Sequence, residues 1–145
     1  MSDITLSRVF DAPVNLVFQA WRDPAMMSRW FFPGDMLCTA TCDFRVGGRY
    51  RLDMRGRDGQ AFPHHGEYRD IVEARRISFT WNSDSVSDTL VTVSFEDLGA
   101  QTRLTLVHQG LATENAREKH NEGWQGCFEN LAHFVTKQTA DAPAP

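Results

Sequence analysis

Apolar and polar side chains first alternate from Ile4 to Phe10, where Ile4 and Leu6 mix with Thr5, Ser7 and Arg8. A period of two predicts a strand. Asp11-Ala12-Pro13 then switches the period. Val14, Val17, Phe18 and Trp21 recur at i, i+3, i+4 and i+7 and predict one apolar helical face. Asp23-Pro24 repeats the start signal, with Asp23 as the N-cap of a second short helix from about Pro24 to Trp30. Phe31-Phe32-Pro33-Gly34 ends it.

From Leu37 to His108 the period returns to two. Tyr50, Leu52 and Met54 share one face, and Arg49, Arg51, Asp53 and Arg55 the other. Asp58-Gly59 predicts a hairpin turn, with the next strand from about Gly66 to Val72. Ile77, Phe79 and Trp81 alternate with polar residues, as do Val91, Val93 and Phe95, and then Leu104, Leu106 and His108. Short turns between consecutive strands predict an antiparallel meander. Trp124, Cys127, Phe128, Leu131 and Val135 restore the helical period, in one long helix from about Ala116 to Gln138. The expected layout is an α+β fold in a single domain, residues 1–138, followed by a disordered Pro/Ala-rich tail, residues 139–145.

The chain has 145 residues and a net charge of −4. A mild negative charge disfavours nucleic acid as a partner. The arginines at 45, 49, 51, 55 and 57 alternate with Asp53 and Asp58 and read as a solvated face. No apolar run reaches the ~20 residues of a membrane helix. Met1-Ser2-Asp3-Ile4 lacks the basic start of a signal peptide, so a cytoplasmic location is expected. Cys38, Cys42 and Cys127 are odd in number and show no CxxC spacing, which predicts free thiols.

Several segments resemble the activator of heat-shock protein ATPase homologue family. They are Phe10-Asp11-Ala12-Pro13, Ala20-Trp21-Arg22-Asp23-Pro24, Arg29-Trp30-Phe31-Phe32-Pro33, Asp43 to Arg51, Gly66-Glu67-Tyr68, Thr80-Trp81, Thr102 to His108, and Gly123-Trp124. That family belongs to the START-like, or SRPBCC, superfamily. The resemblance spans Ile4 to Lys137 and implies a helix-grip fold: a curved antiparallel sheet wrapped around a long C-terminal helix, with two short helices after the first strand. It also implies a hydrophobic cavity between sheet and helix. Superfamily relatives include lipid carriers, plant hormone receptors, polyketide cyclases and aromatases. The third position of the aromatic loop is usually Gly in the family; here it is Phe32, a ring expected at the cavity mouth.

Strand parity turns His108 inward with Leu104 and Leu106, where an imidazole can contact a ligand or act as a base. The expected ligand wall is Trp30, Phe32, Tyr50, Met54, Tyr68, Phe79, Trp81, His108, Trp124 and Phe128. Asp70 and Glu67 are the nearest carboxylates, and a surface position is expected for them. Adjacent His64 and His65 point opposite ways on a strand, and His120 and His133 do not align on a helix, so no metal site is expected. No P-loop, GxGxxG or HExxH motif calls for a cofactor. The leading expectation is a protein that binds a hydrophobic or aromatic small molecule. Alternatives are a cyclase, aromatase or hydrolase using His108 or Asp70, a module acting on a chaperone ATPase through Trp30–Phe32, and a homodimer through that same segment.

Overall fold

A computed structural model describes residues 3–141. The chain runs β1 (Ile4–Phe10), α1 (Val14–Arg22), α2 (Pro24–Met27), β2 (Leu37–Cys42), β3 (Arg49–Arg55), β4 (Ala61–Val72), β5 (Arg76–Trp81), β6 (Thr89–Asp97), β7 (Thr102–Gln109) and α3 (Glu114–Asp141). All seven strands form one antiparallel sheet in the order β1-β7-β6-β5-β4-β3-β2. Strands β2 to β7 are the predicted meander, and β1 closes onto β7 with Ile4 opposite His108. The curled sheet and α3 bury the apolar sides of both, which is the helix-grip arrangement.

Local sequence sets each boundary. The Asp23 carboxylate accepts from the Ala25 N–H at 2.9 Å and caps α2. Gly59 takes φ +84° in the turn between β3 and β4, the left-handed conformation that glycine adopts without strain. The inward faces follow the predicted parity: Tyr50, Leu52 and Met54 on β3, Val91, Val93 and Phe95 on β6, Leu104, Leu106 and His108 on β7.

Three boundaries differ from the sequence reading. Strand β4 begins at Ala61 rather than Gly66. Residues 61–64 pair with β3 alone, and Pro63 is tolerated where one strand edge is free. Within β4 the register shifts between Tyr68, opposite Phe79, and Asp70, opposite Ser78. That bulge turns Asp70 to the surface, where it pairs with Arg76. Helix α2 stops at Met27, not Trp30, because the Arg29 and Trp30 N–H groups donate only three residues back, to the Met26 and Met27 carbonyls, and the chain goes on in tight turns. Helix α3 runs on to Asp141, so residues 139–141 are helical instead of tail; residues 142–145 of the expected tail lie outside the described residues.

The loop after α2 is clamped onto α3. Asn130 Nδ2 donates to the carbonyls of Phe32 (2.7 Å) and Gly34 (2.9 Å). A Cβ on Gly126 would come within 2.9 Å of Pro33 Cβ, so glycine permits this close approach. Among the described residues no helix is long and apolar enough to cross a membrane. The arginine face is solvated: Arg45, Arg51 and Arg57 pair with Asp43, Asp53 and Asp35 at exposed positions.

Candidate functional site

One cleft of about 350 Å³ opens between the sheet and the N-terminal half of α3. Met54 of β3, Phe62 and His64 of β4, and Trp81 of β5 form one wall. Lys119, His120, Gly123, Trp124 and Cys127 of α3 form the other. Pro33 and Met36 from the clamped loop and Ser85 from the β5–β6 loop complete the rim. The surface is overwhelmingly apolar. The volume falls at the small end of the ~300–1,000 Å³ typical of ligand sites.

The cross-strand register explains the sheet wall. Leu52 faces inward and stands opposite His64; Met54 faces inward and stands opposite Phe62. Partners across a ladder share a face. The two walls meet where Trp81 and Trp124 pack with ring centroids 4.9 Å apart. His64 lies over Trp81 at 4.7 Å. The Trp81 Nε1–H is buried without a partner among the described residues.

His108 sits directly behind this wall and is fully buried. The Trp124 Nε1–H donates to His108 Nδ1 at 3.0 Å. An indole nitrogen can only donate, so Nδ1 is the acceptor and Nε2 carries the proton. Nε2–H therefore donates to Thr89 Oγ1 at 2.9 Å, and the Thr89 hydroxyl donates to the Trp81 carbonyl at 2.7 Å. Every donor and acceptor in the relay is used. Burial pushes the His108 pKa down to about 3, with nearby His120 adding to the effect. A neutral imidazole with both nitrogens engaged has no free lone pair with which to act as a base. The relay joins β5, β6, β7 and α3 and holds Trp124 in the cleft wall.

His64 and His120 differ from His108. His64 Nδ1 lies 3.0 Å from the Phe62 carbonyl, and His120 Nδ1 lies 2.7 Å from the Ala116 carbonyl. A carbonyl only accepts, so Nδ1 is protonated in each and Nε2 holds the lone pair of the neutral ring. Burial lowers the His64 pKa to about 4.

The expected wall residues divide into three groups. Met54, Trp81 and Trp124 line the cleft. Tyr50, Tyr68 and Phe79 surround a separate void of only about 10 Å³, together with Trp21, Met27 and Phe31. That space is no larger than about one water molecule. Trp30, Phe32, His108 and Phe128 line neither space. The reason is a plug of aromatic side chains. Trp30 and Phe31 are buried, stack at 4.5 Å and fill the middle of the sheet, with Phe31 stacked on Trp81 at 6.0 Å. Trp30 Nε1–H donates to the Ala20 carbonyl at 2.9 Å. Their burial leaves no exposed aromatic patch at 30–31 for a protein partner. Phe32 is half-buried and does not line the cleft; its carbonyl accepts from Asn130 and anchors the loop. Phe128 packs edge-on against Phe10 at 5.7 Å.

His64, His120, Lys119, Gly123 and Cys127 were not expected in the wall. His120 is one helical turn before Trp124, and His64 shares parity with Leu52 once the register is known. Among the described residues, no group of three or more His, Cys, Asp or Glu side chains converges as a metal site. Glu67 is close to Arg69 at the surface, with 3.8 Å between charged atoms.

The family model described as Activator of Hsp90 ATPase homolog 1-like protein matches residues 11–136. Protein CV1439 from Chromobacterium violaceum has a similar structure, with TM-score 0.86, 30% identity, and coverage of 93% of this chain and 98% of that one. The AHSA1 protein from Silicibacter pomeroyi follows with TM-score 0.83, 23% identity, and coverage of 94% and 99%. The AHSA1-like protein from Aeromonas hydrophila gives TM-score 0.82, 24% identity, and coverage of 99% of both chains. The latter two share the fold with this chain. No curated protein matches it.

Proposed function

This chain belongs to the Activator of Hsp90 ATPase homolog 1-like family, and from that premise we propose that it binds an apolar or aromatic small molecule in the cleft between the sheet and α3. The observation that carries the reading is the cleft itself: about 350 Å³, almost wholly apolar, and open against the Trp81–Trp124 pair. A ligand burying ~150 Å² of apolar surface there gains roughly 4 kcal/mol before ordering costs. The three unpaired thiols support action in a reducing compartment, the cytoplasm. Neither residue named for the enzymatic alternatives is placed for acid–base work in the cleft: His108 has both nitrogens engaged, and Asp70 pairs with Arg76 at the surface.

Gly123 supplies the test. It lines the cleft, and a Cβ built there meets nothing within 4 Å. Gly123→Leu places a side chain in the cleft with the fold otherwise intact. Titration calorimetry with 2-methylnaphthalene should show binding to the wild type and at least a tenfold loss in Gly123→Leu. Equal binding to both proteins would locate the apolar site elsewhere, and no binding to the wild type would remove the reading.

A further inference from the structure

We infer that the cleft selects an aromatic molecule carrying a hydroxyl group, which donates to the Nε2 lone pair of His64 or of His120. This rests on the cleft being the binding site. The two histidines come from opposite walls, one from β4 and one from α3, and both border the same space. Each has its Nδ1–H committed to a backbone carbonyl, of Phe62 and Ala116 respectively. Neither Nε2 has a hydrogen-bond partner among the described residues, and neither is sealed from solvent. The third nearby imidazole, His108, shows the contrast, since both its nitrogens are consumed behind the wall.

Two acceptors bordering an apolar cleft favour a neutral donor. A phenolic hydroxyl fits: its ring lies on the indoles and its proton goes to an imidazole. A carboxylate does not fit as well. It would lose its hydration and meet lone pairs, because burial keeps His64 unprotonated near neutral pH. The competing group is Lys119, a cation on the rim that would hold an anion instead.

Titration calorimetry of the full chain with 2-methylnaphthalene, 2-naphthol and 2-naphthoate separates these outcomes. An unpartnered hydroxyl would weaken binding roughly fivefold or more relative to the methyl group. The expected result is 2-naphthol binding at least as tightly as 2-methylnaphthalene, with 2-naphthoate weakest. The double variant His64→Phe/His120→Phe should lower the ratio of 2-naphthol to 2-methylnaphthalene affinity about three- to tenfold, with circular dichroism checking that it folds. Weaker binding of 2-naphthol than of 2-methylnaphthalene by the wild type overturns the inference and spares the apolar cleft. Tightest binding of 2-naphthoate overturns it in favour of Lys119. A folded double variant that keeps the wild-type ratio of affinities also overturns it. If neither neutral probe binds the wild type, the cleft reading itself fails and the inference goes with it.

Discussion

His108 shows how one residue can be read correctly for position and incorrectly for role. Parity with Leu104 and Leu106 puts it inside, and inside it is. Its partners, Thr89 and Trp124, lie 19 and 16 residues away, and no local pattern announces them. The relay makes His108 structural. His108→Leu would strand the buried Trp124 N–H, and the expected cost is about 1–3 kcal/mol in urea unfolding. An unchanged midpoint would mean that the relay adds nothing to stability. Acid gives an independent check. Folding holds His108 at about 3 and His64 at about 4, against an unperturbed ~6.5. The unfolded chain therefore takes up more protons than the folded one between these values. Stability is complete above about pH 6.5 and falls as the pH drops toward 3, by roughly 1 kcal/mol per pH unit from each histidine. The urea midpoint should fall between pH 7 and pH 5, and His108→Leu should show a shallower fall. A midpoint independent of pH over that range would contradict the neutral, buried assignment.

At the scale of elements, α3 carries two glycines with opposite consequences. Gly123 faces open cleft; Gly126 faces Pro33. Gly123→Ala should raise stability by about 0.5–1 kcal/mol, because alanine restricts the unfolded chain and fits the helix. Gly126→Ala should lower it by about 1–3 kcal/mol, since the Pro33 loop or the helix must shift. Thermal unfolding of the pair decides this, and equal shifts would refute the clamped-loop geometry. Strand periodicity, the Asp23 cap and the long helix were legible because each is a local pattern. The start of β4 was hidden by Pro63, which argues against a strand until one sees that its outer edge is free there. The wall residues His64 and Phe62 were lost with it. The aromatic loop was equally opaque: Trp30 and Phe31 are adjacent in a run with no amphipathic period, and only their stacking against Trp21 and Trp81 shows that they fill the sheet's hollow.

For the whole molecule, the fold creates a hollow and then fills part of it. The aromatic plug turns the Tyr50–Tyr68–Phe79 region into solid core and leaves the free volume beside α3. Family resemblance implied a cavity between sheet and helix, but the side chains that plug it are set by this sequence. The proposed binding therefore depends on the remaining cleft and on Gly123, where a side chain would enter it. The most direct test is native mass spectrometry of wild type and Gly123→Leu, both purified from cells without denaturation. The wild type should carry a small bound mass that is lost on unfolding, and Gly123→Leu should not. A bound mass retained by Gly123→Leu, or bare chains in both cases, would contradict a ligand held in the cleft.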